Sequence, residues 1–150
     1  MNINDDFEEI IKYAHYWNWQ PDWGVVQNIY ESFPEAYSVL TPFAYSYLEE
    51  VIRSTTSEYG REIIDENGKQ KWRSVGNSLI NLAIKENSDN QEFITILEQT
   101  KSYFTISKAT DCGDNRNSVD HGYLHPRFWD KSSFEKLIHH IARLSKFARF

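Results

Sequence analysis

Residues 132–148 read SSFEKLIHHIARLSKFA, and this stretch decides the fold class. Its apolar residues recur at intervals of three and four, which is the spacing of one face of an α-helix. Ser132 followed by Glu135 has the pattern of a capping box, which predicts a helix from 132 to about 148. The residues expected in the core are Phe134, Leu137, Ile138, Ile141, Leu144 and Phe147. The residues expected on the remaining surface are Lys136, His139, His140, Arg143, Lys146 and Arg149.

The same helical spacing recurs through the rest of the chain. Thr41 before Pro42 indicates a helix cap followed by proline at the first helical position. Asp89 and Glu92 have the spacing of a second capping box. Short links between such helices are typical of a bundle, so we predict an all-α multi-helix bundle of five to seven helices in a single domain, 1–150. The longer predicted helices span residues 5–17, about 22–33, 42–58, 72–87, 90–106 and 132–148.

Asn67-Gly68 interrupts the helical pattern with a dipeptide that is typical of hairpin turns. The residues on either side are polar and only weakly alternating. We therefore predict a surface loop or a small β-ribbon near residues 61–72.

Trp17, Trp19 and Trp23 lie within seven residues of one another. Such a cluster can stack on bases. Large aromatic side chains are nevertheless mostly core or interface residues, so we expect these three to pack one end of the bundle.

The composition limits the classes of protein to which this chain can belong. The chain has 150 residues with 15% aromatics, which favours one ordered domain over a disordered chain. Its single cysteine, Cys112, excludes an intrachain disulfide framework and suits a reducing compartment. No signal-peptide core, basic amphipathic leader or apolar run of membrane length is visible, so we expect a cytoplasmic protein without a membrane anchor.

The net charge of −6 argues against broad, sequence-indifferent binding to nucleic acid. The charge is unevenly distributed, however. Residues 1–107 hold eight Lys and Arg against seventeen Asp and Glu, whereas residues 108–150 hold eight against five. The C-terminal part is therefore the place where a phosphate-binding site is expected.

The stretch Arg116-Asn117-Ser118-Val119-Asp120-His121-Gly122 lies in that cationic part. If it is helical, Asn117 and His121 share one face, and Gly122 can take the left-handed conformation that ends a helix. A break at 110–114 precedes it. Either a short helix capped by Asp114 or an ordered loop is compatible with this pattern.

This pattern resembles the RN-x3-H motif of HEPN domains, all-helical domains of which many are metal-independent endoribonucleases. The resemblance implies an HEPN-like fold, RNA as the substrate, a 2′,3′-cyclic phosphate product, and no metal ion or cofactor. It also implies a homodimer in which two motifs face each other. Carried over, Arg116 would stabilise the phosphate, Asn117 would support the site and His121 would transfer the proton. The break before the motif departs from the family, in which the motif lies within or near the end of a longer helix.

Four residues after the motif are further candidates for substrate binding. His125 can serve as a second proton carrier, while Tyr123, Arg127 and Lys131 can contact backbone phosphate. Each can equally be a polar loop residue. The resemblance also suggests a toxin–antitoxin or phage-defence setting with an antitoxin or regulatory protein as partner.

Three other interpretations compete. In a structural interpretation, Arg116–Asp120 is an i,i+4 ion pair and His121 is a cation at a helix end. In a metal-binding interpretation, Asp120, His121 and His125 act with Asp111, Cys112 and Asp114. In the third, the domain is a non-catalytic HEPN-like interaction module.

Elsewhere, the adjacent Glu49 and Glu50 are expected to face solvent or to bind an Arg, because neighbours on a helix do not share a proton.

Overall fold

The computed structural model describes residues 2–122 and 124–150. In these residues the fold is an all-α bundle with one small two-stranded antiparallel ribbon, as the sequence predicted. The helices are α1 (Ile3–Tyr13), α2 (Gln20–Ser32), α3 (Tyr37–Ser54), α4 (Gly76–Glu86), α5 (Gln91–Thr100), α6 (Arg116–His121) and α7 (Lys131–Ser145). The strands are β1 (Ile63–Ile64) and β2 (Gln70–Lys71), and short 3-10 turns lie at Pro34–Ala36, Lys101–Phe104 and Pro126–Phe128. Among the described helices, none combines the length and apolar composition needed to cross a lipid bilayer.

Helix α3 is the centre of the bundle. It packs against α7, α4 and α6, while α1 packs against α7 and α2. Eleven of its eighteen residues are buried, and they lie on most sides of the helix. Two of them, Glu49 and Arg53, carry charges. Buried charges require partners, and these two are central to the site described below.

The start of α3 differs from the prediction, which placed it at Pro42. The helix begins at Tyr37, five residues earlier, and Pro42 lies inside it. The Thr41 hydroxyl donates to the Tyr37 carbonyl at 2.8 Å instead of capping a helix start. Pro42 is exposed, and its ring leaves the Ser38 carbonyl, four residues earlier, without its usual helical donor.

The predicted capping box at Ser132 and Glu135 is wrong. Helix α7 begins at Lys131, and its N-cap residue, Asp130, makes no capping hydrogen bond with its side chain. Glu135 instead accepts a hydrogen bond of 2.6 Å from the Tyr30 hydroxyl. The box at 89–92 is also wrong, because the N-cap residue of α5 is Asn90, whose side chain accepts a hydrogen bond from the Phe93 amide.

The ribbon near residues 61–72 has the turn that the dipeptide predicted. Ile63 pairs with Lys71 and Ile64 with Gln70. The Gly68 amide donates to the Asp65 carbonyl at 3.0 Å, and Gly68 has a φ of 76°, which glycine adopts without strain. The Asp65 carboxylate also accepts from the amides of Asn67 and Lys69, at 2.8 and 2.9 Å, so the turn is fixed by its own side chain.

The tryptophan cluster divides into two parts. Trp23 is fully buried and Trp19 is half-buried, and their ring centroids lie 5.0 and 5.1 Å from that of Tyr47. Trp17 is 75% exposed instead of packing with them. Helix α1 ends before it, and a turn closed by His15 Nδ1, which accepts from the Trp17 amide at 3.2 Å, directs the chain outward.

His140 on α7 is buried, although the periodicity placed it at the surface. Its Nε2 lies 2.7 Å from the hydroxyl of Thr100, which itself donates to the Ile96 carbonyl. Burial, followed by the nearby Arg143 and His139, lowers the pKa of His140 to about 4. The imidazole is therefore neutral in the folded protein at neutral pH.

This buried imidazole predicts acid sensitivity. Unfolding restores the pKa of His140 to its ordinary value near 6.5, so the unfolded chain binds a proton that the folded chain excludes. The free energy of unfolding is therefore highest above that pKa and decreases as the pH falls toward 4. Between about pH 7 and pH 5 the loss is expected to be roughly 2 kcal/mol. Urea unfolding of the parent and of His140→Gln across this range checks it, and parallel pH curves for the two proteins would contradict it.

Candidate functional site

The predicted motif forms the short helix α6, Arg116–His121, so the helical alternative is the one observed. Its cap is Asn115, not Asp114. The Asn115 carboxamide oxygen accepts from the amides of Asn117 and Ser118 at 2.9 and 3.4 Å, and its nitrogen donates to the Thr105 carbonyl at 3.1 Å. Asn115 is buried, and these hydrogen bonds join the preceding loop to the start of the helix.

Gly122 ends α6 for a reason that differs from the prediction. Its φ and ψ are −77° and 174°, which is extended backbone and not the left-handed conformation. A Cβ atom at this position would instead collide with the backbone carbonyl of Ser118. Glycine is required here by space, because the chain leaves the helix directly over its last turn.

Two polar side chains of α6 hold the helix to the loop before it. The Asn117 side-chain nitrogen donates to the Thr105 carbonyl at 2.9 Å. The Ser118 hydroxyl makes a short hydrogen bond to the carboxylate of Asp111 and lies 2.9 Å from the Ser107 hydroxyl. Asn117 therefore supports the position of α6 through the loop, a contact that the sequence did not indicate.

Arg116 lies between two carboxylates. Its Nε is 3.2 Å from Oδ2 of Asp120, the i,i+4 pair of the structural interpretation, and 3.1 Å from Oε1 of Glu49 on α3. The Arg116 side chain is 27% exposed. The two carboxylates offset its charge, and the contact with Glu49 fastens α6 to the central helix.

Glu49 is the residue that sequence reasoning missed in this site. It is only 7% exposed, and burial raises the pKa of its carboxyl against the opposing effects of Arg116 and Arg53. Of the two earlier alternatives for Glu49 and Glu50, binding an Arg is the one observed, because Arg53 lies 3.1 Å from Glu50 and 4.0 Å from Glu49. Arg53 also donates to the Ser74 carbonyl at 2.9 Å.

His121 and His125 line one open cleft of about 540 Å³ at the C-terminal end of α6. Both side chains are exposed. Nδ1 of His125 accepts from the Arg127 amide at 3.2 Å, so in the neutral ring the proton lies on Nε2. Leu124, Pro126 and Trp129 supply an apolar wall. The cleft thus combines two groups able to transfer protons with a surface suited to an aromatic base.

The other candidates take separate positions. Arg116 and Asn117 do not line the cleft, and neither do Arg127 and Lys131. The Arg127 guanidinium lies 5.7 Å from the Phe128 ring centroid, while Lys131 Nζ lies 4.0 Å from Glu135. The prediction for Tyr123 concerns a residue outside the described ones.

Trp129 is the buried residue that fixes the cleft wall. Its carbonyl accepts from the Tyr37 hydroxyl at 2.9 Å. Gly113, at a φ of 90°, packs so closely that a Cβ atom there would lie 3.1 Å from the Trp129 Cβ. The loop before α6 and the loop after it are therefore held in contact, and the sequence offered no local signal for this pairing.

The residues of the metal-binding interpretation have other contacts. Asp111 accepts from Ser118 and from the Lys108 amide at 2.7 Å. The Cys112 thiol donates to Asp130 at 3.1 Å, and this hydrogen bond raises the thiol pKa. Across residues 2–122 and 124–150, no three or more His, Cys, Asp or Glu side chains are grouped as a metal ion would require.

Comparison with known proteins gave no relatives. No protein-family model matches the chain, and neither curated proteins nor solved structures show significant similarity to it.

Proposed function

We propose that this protein is a metal-independent endoribonuclease whose reacting groups are His121 and His125. The observation that carries the proposal is the exposure of these two imidazoles in one cleft. Cutting RNA without metal requires a base and an acid, and imidazole serves as either near neutral pH. The RN-x3-H resemblance of residues 116–121 points to the same chemistry.

The proposed reaction is an internal transesterification. One imidazole takes the proton of a 2′-hydroxyl, and the 2′-oxygen forms a bond to phosphorus. The bond from phosphorus to the 5′-oxygen breaks, and the second imidazole, in its protonated form, donates the proton to that oxygen. The products are a 2′,3′-cyclic phosphate and a 5′-hydroxyl end, so no external oxidant or co-reactant is needed.

In this proposal Arg116 and Asn117 chiefly position His121. Arg116 is held by Glu49 and Asp120, and Asn117 by the Thr105 carbonyl, so both fasten the helix that ends at His121. The resemblance implies that Arg116 contacts a phosphate, and only the exposed part of its side chain would be able to do so. Arg127 and Lys131 follow the cleft in the chain and are the proposed contacts to the RNA backbone.

The proposal includes a homodimer, which would bring a second pair of imidazoles to the site by twofold symmetry. A cytoplasmic toxin–antitoxin or phage-defence role, with an antitoxin or regulatory partner, follows from the resemblance alone. Light scattering on the purified protein tests the dimer, and a strict monomer would leave the two histidines of one chain to do both proton transfers.

A non-catalytic helical interaction module is the second candidate. It is favoured by the engagement of Arg116 with two carboxylates, which is how a purely structural arginine is held. The two candidates differ in whether RNA is cut.

The test is RNA cleavage in EDTA. The parent protein and a His121→Gln variant purified in parallel are incubated with several RNAs, and the ends are mapped. Cleavage by the parent that leaves 2′,3′-cyclic phosphates, and that the variant lacks, supports the nuclease and excludes a contaminant. No cleavage of any RNA supports the interaction module, and cleavage only with added divalent metal contradicts the proposed mechanism.

A further inference from the structure

Trp72 is 98% exposed, the highest value among the large hydrophobic side chains of the described residues. It follows β2 directly, at the base of the ribbon. A tryptophan in this position contributes almost nothing to the core. An exposed indole ring offers a face on which a planar base can stack.

The ribbon around Trp72 is rich in exposed cations. Residues 69–73 read KQKWR, with three positive charges and no acidic residue, in a part of the chain that is otherwise acidic. Lys69, Lys71 and Arg73 are all exposed. In the described part of the chain none of the three forms an ion pair, in contrast to Arg53 and Arg116. Their charge is therefore available to an anionic ligand.

The aromatic ring and two of these cations border one groove. The groove has a volume of about 450 Å³ and is lined by Gln70, Lys71, Trp72, Arg73 and Val75. An indole face beside two cations matches a nucleic-acid strand, in which a base stacks on the ring and the phosphates contact the charges.

Ser74, which lies among the residues of the groove in the chain, connects the groove to the site already described. The Ser74 carbonyl accepts from Arg53, and the Ser74 amide and hydroxyl donate to Glu58 at 2.8 and 3.0 Å. Arg53 in turn lies 4.0 Å from the Glu49 carboxylate, which also contacts Arg116. Trp72 lies two residues from Ser74, at most about 7 Å along the chain. The segment that follows the ribbon and helix α6 therefore both contact the buried pair Glu49 and Arg53.

We propose that the groove at Trp72 binds single-stranded RNA, with one base stacked on the indole and Lys71 and Arg73 contacting phosphates. The choice of RNA rests on the proposed ribonuclease function. The groove would bind the same strand at nucleotides other than those that are cut. A single strand is required because bases in a duplex are already stacked and cannot cover the ring.

The test measures binding without cleavage. Single-stranded oligonucleotides with 2′-O-methyl groups lack the attacking hydroxyl, so binding can be measured whether or not the protein is a nuclease. Fluorescence anisotropy with labelled oligonucleotide is expected to show a Kd for Trp72→Ala that is raised about 5-fold to 150-fold. Lys71→Ala and Arg73→Ala are expected to weaken the dependence of binding on salt. Trp17→Ala, which removes another exposed tryptophan, and Lys85→Ala are matched controls expected to bind like the parent.

The outcomes separate this inference from the proposed function. Binding that depends on Trp72, in a protein that cuts no RNA, supports the groove and overturns the nuclease. Cleavage by the parent together with equal binding by Trp72→Ala and the parent overturns the groove alone. Absence of binding to any single strand, or equal binding to duplex and single strand, also overturns it.

Discussion

His121→Gln is expected to lower the rate of RNA cleavage at least about 100-fold, because a positioned acid or base typically contributes that much or more to the rate. His125→Asn is expected to have a similar effect. Asparagine at 125 can still accept from the Arg127 amide, as Nδ1 of His125 does at 3.2 Å, so this variant removes the imidazole while retaining the turn. If the two rings act as an acid–base pair, the double variant is expected to be little slower than either single one.

The control for this prediction is His139→Gln. His139 lies on α7, where its Nδ1 contacts Asp6 at 3.0 Å, away from the cleft. This variant removes a half-buried imidazole that does not line the cleft and is expected to cut RNA at the parent rate. Single-turnover rates in EDTA provide the measurement. Loss of activity in His121→Gln with full activity in His125→Asn would remove His125 from the proposed mechanism.

Arg53→Met is expected to reduce the free energy of unfolding by about 3–5 kcal/mol, the usual result of removing one member of a buried ion pair. The Arg53 side chain is 9% exposed and contacts Glu49, Glu50 and the Ser74 carbonyl. Without it, Glu49 remains buried with Arg116 as its one close cation in the described part of the chain. Urea unfolding at neutral pH is the measurement.

A double variant tests the cause of that loss. Adding Glu49→Leu to Arg53→Met removes the buried carboxylate as well, so the double variant is expected to be more stable than Arg53→Met alone. If the double variant is the less stable of the two, the loss reflects packing of the Arg53 side chain and not the uncompensated charge.

The helices could be predicted because their signal is local. Apolar residues at helical spacing along 132–148 and a turn dipeptide at Asn67-Gly68 act over a few residues, and both elements formed. The caps could not be predicted in the same way, because tertiary contacts compete for the same side chains. Glu135 accepts from Tyr30, which removes it from the capping role that its local pattern suggested, and the observed N-cap residue, Asp130, accepts from Cys112.

The candidate site was predictable only in part. The sequence left a short helix and an ordered loop open for residues 116–121, offered the pair of Arg116 with Asp120 as one interpretation, and named His125 as a second candidate. It gave no sign that Glu49, 67 positions earlier, would reach Arg116, because that contact depends on how α6 docks on α3. Trp129 was equally hidden, since its burial comes from contacts with Gly113 and Tyr37 on distant segments.

The buried carboxylate of Glu49 restricts which substitutions this fold can accept. The carboxylate belongs to α3 and contacts α6 through Arg116. A neutral residue at 49 would remove the contact that fastens Arg116 to α3, and a neutral residue at 116 would leave the buried carboxylate less compensated. In divergent copies of this domain, positions 49 and 116 should therefore covary, with both charges present or both replaced.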